Sequence, residues 1–427
     1  MTLPNTVIIV SYNLWLIPFG GAWCLGRADR CTNALVAKAN QLRPVASSSE
    51  LVVVAVQEAW AFRVGIFWPL LWLLSRSESA MLRSRLVAGA HETLAHKFLK
   101  DVIFALTALS VLVVQSWIPL LRRVQWNPKL RMASTLKRDA SLSWSTDDSV
   151  AAFQRQRPWG WPPVLMDSGL HMSASSSADE SGFVGFGRGG SHEPIVLKGV
   201  QWARWGALAV LNTHMVFDPG LDSSTRRRQR KALACLVSKL LGLAEGPTSE
   251  SWGSQSAADS LYDPRCDLRG VPTSSCNCQT VLITGDFNHA LPEQCTRGGP
   301  AQQPKGPGPF SRPWLSCDAS LTGLIQTLQL GGRVHVERLS SDEPTNEDGT
   351  VDHVLCVTLA AEITRDDGTD EGAKKEEEEE EAGTGAGTGS RYTCVEADVE
   401  PDLPAEVSDH LMISAVLRRS AARWASR

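Results

Sequence analysis

Residues 281–290 read VLITGDFNHA. Val281 to Thr284 lead into Gly285, and Asp286 and Asn288 then stand two positions apart. The apolar run reads as a strand, and Gly-Asp with a nearby Asn is common turn chemistry after one. The same residues also form a carboxylate and an amide that a strand end can present to a ligand. The choice between a plain turn and a site depends on how the other strands of the chain end.

Working outward, TVIIVSYNLWLI (6–17) and ELVVVAVQEA (50–59) read as buried strands, rich in β-branched residues. Between them, ADRCTNALVAKANQL (28–42) has helical spacing of Leu35, Val36, Ala39 and Leu42. Paired strands fall within 194–217, with ARWGA (203–207) as their turn. STRRRQRKALACLVSKLLGL (224–243) is an amphipathic helix that Ser224 or Thr225 can cap, with Leu233, Leu236, Val237, Leu240 and Leu241 on its apolar face. TVDHVLCVTL (350–359) and HLMISAVLR (410–418) are further strands. Strands and helices are interleaved, so the class is α/β or α+β.

The chain has 427 residues, enough for one large domain or two ordinary ones. Hydrophobic residues make up 43% and charged residues 21%, which is a globular composition. The net charge of −4 is unevenly placed: 364–391 holds ten acids and four bases, a local −6, leaving about +2 elsewhere. A nearly neutral body lacks the basic stripe of most nucleic-acid binders, so no nucleic-acid partner is expected. The ten cysteines show no zinc-like spacing, and no secretory leader opens the chain, so reduced, intracellular thiols are expected.

Three stretches read as flexible loops inserted into one domain over 1–420: residues 246–280, 296–313 and 364–391. The last contains six successive glutamates, Glu376 to Glu381, and too little apolar surface to offset its ordering entropy. A fourth insert, 60–125, is hydrophobic. Within it VIFALTALSVLVVQSWIPLL (102–121) is a charge-free run of twenty residues, and eight of the fifteen tryptophans lie between Trp60 and Trp161. If 102–121 crossed a bilayer alone, the strands on its two sides could not share a sheet. An interfacial or re-entrant membrane contact is therefore favoured over a buried helix or a pair of spans, and the protein is expected to be membrane-associated.

The strand ends carry one kind of chemistry. Asn13 lies in the first strand, Gln57-Glu58 ends the second, and Asn212-Thr213-His214 ends a later one. Asp286 and Asn288, then Asp352, then Ser408-Asp409-His410 follow. Metal-assisted phosphodiester hydrolysis needs such a set. A hard cation such as Mg²⁺ takes carboxylate or amide oxygens, which Glu58 and Asn13 can supply. His214, when protonated, can donate to the phosphoryl oxygen, and His410 suits a base near neutral pH, with Asp352 or Asp409 to fix its tautomer.

Taken together, Asn13, QE (57–58), NTH (212–214), GDFN (285–288), VDH (351–353) and SDH (408–410) resemble, in order, the motifs of the endonuclease/exonuclease/phosphatase superfamily. The resemblance covers most of the chain outside the inserts. It implies a DNase I-like four-layer sandwich, two mixed β-sheets packed face to face with helices outside. It also implies that Glu58 binds Mg²⁺ with Asn13 nearby and Asp409 near the metal. By the same resemblance His214 stabilises the phosphoryl transition state, Asp286 and Asn288 orient water and phosphate, and His410 is the base supported by Asp352.

Within the superfamily, SYNLWLIPFGG (11–21), DSGLHMS (167–173), Lys198-Gly199 and the Arg226-to-Gln229 spacing are most similar to neutral sphingomyelinases. His171, Ala174 and His353 depart from the residues usual there. The resemblance implies a sphingomyelin phosphodiesterase that releases ceramide and phosphocholine, with sphingomyelin or a related membrane phospholipid as substrate and the membrane surface as partner. An apurinic endonuclease usually has an acid where Trp15 stands. An inositol-polyphosphate phosphatase usually has Tyr-Arg where His289-Ala290 stands. A membrane adaptor without activity is the alternative outside enzymes, and the full polar set argues against it.

Overall fold

The computed structural model describes residues 4–14, 27–42, 50–60, 62–63, 125–126, 128–139, 145–147, 168–188, 197–216, 223–243, 278–288, 321–329, 334–340, 345, 352–359, 390–400 and 410–421. Most of the hydrophobic insert including 102–121, the loop 296–313, most of 246–280 and 364–391, and Asp409 lie outside them.

The first strand, β1 (Thr6–Asn13), is followed by helix α1 (Arg27–Leu42) and β2 (Glu50–Gln57). Short strands β3 (Phe62–Arg63) and β4 (Gln125–Trp126) pair with each other, and α2 (Pro128–Asp139) and β5 (Ser145–Asp147) follow. Next come β6 (His171–Ala174), β7 (Glu180–Arg188), β8 (Leu197–Trp205) and β9 (Leu208–His214). Helix α3 (Ser223–Leu240) leads to β10 (Thr280–Asp286), and α4 (Leu321–Leu328) leads to β11 (Val334–Arg338). The chain closes with β12 (Asp352–Leu359), β13 (Ser390–Glu400) and β14 (Met412–Ala421).

Two mixed six-stranded sheets result, ordered β13-β14-β1-β2-β6-β5 and β11-β12-β10-β9-β8-β7. Each has one parallel pair at its centre. β1 runs parallel to β2 across α1, and β9 runs parallel to β10 across α3. β1 and β2 show why such strands need apolar residues on both faces. Ile8, Val10, Tyr12, Val52, Val54 and Val56 face α1 and α2, where Cys31, Leu35, Met132 and Leu136 meet them. The alternate residues Val7, Ile9, Leu51 and Val53, with Ile413 of β14, face the other sheet, packing with Val210, Leu282 and Val354. On the far side, Leu233, Leu236, Val237 and Leu240 of α3 and Leu324 of α4 cover Leu211, Val281 and Ile283. The order is helix, sheet, sheet, helix: the four-layer sandwich that the resemblance implied.

Local differences from the sequence reading have identifiable causes. Helix α3 stops at Leu240 and not at 243, because Gly242 N–H and Leu243 N–H turn back onto the Lys239 and Ser238 carbonyls and close the helix end. β1 is regular only to Asn13, where Leu14 N–H already bonds the Gln57 carbonyl. The stretches assigned to loops end earlier than read: Thr280 opens β10, and Ser390 and Arg391 open β13. Among the described residues no helix is long and apolar enough to cross a membrane.

Candidate active site

Strand register brings the polar strand ends to one edge of the sandwich. In the first sheet Asn13 lies beside Gln57 across the parallel pair. In the second, Asp286 lies beside His214 on one side and beside Asp352 on the other. Ligands of open α/β sheets gather where parallel strands end, and both parallel pairs end here. Asn13, Glu58, His214, Asp286, Asp352 and His410 are all buried.

The turns that present these groups are conformationally specific. Gly285 has φ 135, and a Cβ there would collide with the Thr213 carbonyl oxygen, so only glycine lets β10 run this close to β9. Asn288 has φ 51, which asparagine tolerates better than most residues, and its backbone N–H donates to Asp286 Oδ1 at 2.8 Å. Its side-chain Nδ2 donates to the Met215 carbonyl at 2.9 Å, tying the GDFN turn to the end of β9. Glu58 also has a positive φ, 55, which turns the chain out of β2 at the carboxylate. The next residue, Ala59, donates its N–H to the Gly169 carbonyl at 2.9 Å.

Beneath this edge an amide pair joins the two sheets. Gln57 Nε2 donates to Asn212 Oδ1 at 2.6 Å and to Ser11 Oγ at 3.2 Å. Asn212 Nδ2 donates to the carbonyls of Val56 and His171 at 3.0 and 3.1 Å. Glu58 and His214 flank this pair in sequence, so it sets their separation across the sheet interface.

Two carboxylates approach each other above it. Asn13 Nδ2 donates to Glu58 Oε1 at 3.2 Å and to Asp286 Oδ2 at 2.9 Å. Asn13, expected to supply an oxygen to the metal, turns its amide nitrogen to these two acids. Two acids at this spacing need a donor between them, and the amide nitrogen fills that role. Asp409, expected near the metal, lies outside the described residues.

On the other side of Asp286, His410 Nδ1 lies 2.7 Å from Asp352 Oδ2, while its Nε2 faces Asp286 Oδ2 at 3.9 Å. The Asp352 carboxylate accepts the Nδ1 proton, leaving Nε2 as the basic nitrogen. That is the orientation a general base requires.

His214 Nε2 is 3.4 Å from Glu58 Oε1 and 3.7 Å from Asp286 Oδ2. Burial, then the neighbouring Lys198 and His410 charges, hold its pKa well below the ordinary imidazole range. His214, expected to act as a protonated donor, is thus held toward its neutral form. The cation beside it is Lys198 on β8, fully buried, with Nζ 3.2 Å from both ring nitrogens. Sequence reasoning named Lys198 only as part of a resemblance. The available signal was a lysine inside an apolar strand, VLKGV, facing the NTH strand.

The donor set fits a hard divalent cation. Glu58, His214 and Asp286 present ligand atoms within 4.8 Å of one another, and Asp286, Asp352 and His410 do the same. Burial foremost, with the Asp352 charge adding and His410 opposing, raises the Asp286 carboxyl to about 7. A pair of buried carboxylates in this condition is completed by a proton or a cation. Neither group includes a cysteine, and the described cysteines Cys31, Cys235, Cys278, Cys356 and Cys394 are free thiols.

No protein-family model and no curated protein sequence matches the chain. Solved structures do match. An endonuclease/exonuclease/phosphatase family protein from Leptotrichia buccalis C-1013-b is similar over 97% of this chain and 99% of its own, with 8% identity and a TM-score of 0.40. Sphingomyelinase C from Streptomyces griseocarneus is similar over 96% of this chain and 99% of its own, with 12% identity and a TM-score of 0.38. D. rerio TDP2, in complex with a single-strand DNA product, is similar over 97% of this chain and 99% of its own, with 11% identity and a TM-score of 0.38.

Proposed function

We propose that this chain is a Mg²⁺-dependent phosphodiesterase that hydrolyses sphingomyelin, or a related membrane phospholipid, to a lipid alcohol and a phosphorylated head group. The observation that carries the reading is the division of labour around Asp286. On one side His410, oriented by Asp352, has its Nε2 turned inward toward Asp286. On the other stand Glu58, His214 and Lys198, an acid and a cation suited to metal and phosphoryl oxygen.

In this arrangement His410 Nε2 takes a proton from water as the water attacks phosphorus. Asp352 stabilises the imidazolium that forms. Neutral His214 donates an N–H to the phosphoryl oxygen, and Lys198 supplies the positive charge that the imidazole lacks. Asn13 keeps the Glu58 and Asp286 oxygens apart and aligned. A divalent cation bound at Glu58 would withdraw charge from the same phosphoryl oxygen. The leaving oxygen is the ceramide alkoxide, and phosphocholine is the other product. The apolar insert around 102–121 and the Trp-rich sequence near it support a lipid substrate, since the enzyme has to reach a bilayer surface.

The test is to offer the full chain sphingomyelin vesicles and an abasic DNA duplex, each with and without Mg²⁺. Ceramide release that depends on Mg²⁺ is expected, without DNA cleavage. The His410→Ala variant should lose about 10²- to 10⁴-fold in turnover while still binding vesicles. Cleavage of DNA alone would replace the lipid reading with a nuclease. Vesicle binding without turnover by the wild-type protein would make the chain an adaptor.

A further inference from the structure

Two residues beyond Glu58, Trp60 is only 3% exposed and touches the site on several sides. Its ring centroid lies 5.7 Å from that of His214, tilted by 52°. Lys198 Nζ stands 5.3 Å from the ring centroid. On a third side the indole packs against Gly169, which has φ 69. A Cβ at Gly169 would lie 2.9 Å from Trp60 Cε3 and 3.0 Å from the Glu58 Cα. The segment Glu58-Ala59-Trp60 is thus seated on a glycine that leaves room for the indole, with Ala59 N–H bonded to the Gly169 carbonyl. Sequence reasoning treated Trp60 only as the first residue of a hydrophobic insert.

We propose that Trp60 is a positioning residue, whose indole ring holds Lys198 against His214. A lysine has four rotatable side-chain bonds and a compact charge, so burial alone does not fix its ammonium. An aromatic face within about 6 Å of the ammonium attracts it, and does so more strongly when water is excluded. Trp has the strongest such face, and this one is seated against Gly169. The consequence falls on Lys198. With the ring gone, the ammonium keeps its contact with the His214 ring but loses the aromatic face that restricts where it sits, and the transition state loses a fixed protein cation.

This inference rests on the phosphodiesterase reading, and the test separates the two. The full chain, with Mg²⁺, is assayed on bis(4-nitrophenyl) phosphate, a soluble phosphodiester. The proteins are wild type, Trp60→Met, Trp60→Phe, Lys198→Met and the two double variants. Methionine keeps apolar bulk without a ring, and phenylalanine restores a weaker ring face. Trp60→Met should lower kcat about tenfold with KM within about twofold, and Trp60→Phe should lower it only about threefold. In the Lys198→Met background either Trp60 change should cost less than about twofold, because the group it acts through is gone. A role in packing alone predicts the same loss in both backgrounds, and that result overturns the proposal. So does a Phe variant as slow as the Met variant. If Trp60→Met melts below the assay temperature, the Phe cycle decides by the same criterion. Wild-type protein that turns over no phosphodiester overturns the underlying reading and this one with it, whereas turnover with additive losses overturns this one alone.

Discussion

Asp286 stands in a strongly perturbed environment at the centre of the proposed reacting groups. Burial foremost raises its carboxyl to about 7, Asp352 adds to the effect, and His410, the Asn288 N–H and Lys198 oppose it. In the metal-free protein the folded state therefore holds a proton that the unfolded chain, with an ordinary carboxyl near 4, releases. Stability from this group is fully present below about pH 4 and is lost as pH rises to about 7. A divalent cation reverses the preference, because it favours the ionised carboxylate. Mg²⁺ should then raise the melting temperature more at about pH 8 than at about pH 5.5, and Asp286→Asn should remove most of that difference. Equal increments at the two pH values would separate Asp286 from the cation site. At this scale the sequence was informative about identity and poor about state. Glu58, His214, Asp286 and His410 were legible because each sits where a buried strand ends. The neutral state of His214 was not legible, since it depends on burial foremost and then on Lys198, a β8 residue that only strand pairing brings to the imidazole.

Elements were legible where a single period ran unbroken. Helix α3 shows its stripe of Leu233, Leu236, Val237 and Leu240 directly, and β1, β2 and β10 are continuous apolar runs. β13 was missed because its alternation breaks: the register against β14 shifts between Cys394 and Glu396, so Val395 points to solvent inside an otherwise regular strand. Helix α2 is short and follows a Trp-rich segment, and its buried pair Met132 and Leu136 is too brief a pattern to stand out. Packing near α2 has a chemical consequence on β6. His171 is buried, with Nε2 3.0 Å from Ser173 Oγ, and burial, helped by the Lys129 charge of α2, lowers its pKa to about 3. The folded protein keeps this imidazole neutral, while the unfolded chain protonates it below about 6.5. Its contribution is thus complete above about pH 6.5 and is lost as pH falls toward 3, at up to about 1.4 kcal/mol per pH unit. His171→Leu should cost about 1 kcal/mol at neutral pH, through the lost hydrogen bond, yet become the more stable protein at about pH 4.5. Urea midpoints at the two pH values measure the crossover, and parallel curves for both proteins would refute it.

For the molecule as a whole, hydropathy reveals the insert but not where its ends go. The sheet supplies that. β2 precedes the insert and β6 follows it, and they pair from Val53↔Ala174 to Val56↔His171. A lone crossing by 102–121 would put two neighbours of one sheet on opposite sides of a bilayer, which their hydrogen bonds forbid. The ends of the insert are also joined, Phe62 to Trp126 and Arg63 to Gln125, by a ribbon that starts four residues after Glu58. The insert therefore departs from and returns to one place beside the site, and a membrane contact made through it would bring lipid to the catalytic edge. Deleting 102–121 leaves the ribbon and every proposed site residue in the chain. Affinity for sphingomyelin vesicles should fall about tenfold or more, while hydrolysis of bis(4-nitrophenyl) phosphate stays within about twofold. Sphingomyelin turnover should fall on vesicles, where docking limits the reaction, and recover in detergent micelles, where the lipid can reach the site without it. Unchanged vesicle binding would take the membrane role away from the insert, and an equal loss on the soluble diester would make the insert part of the catalytic fold.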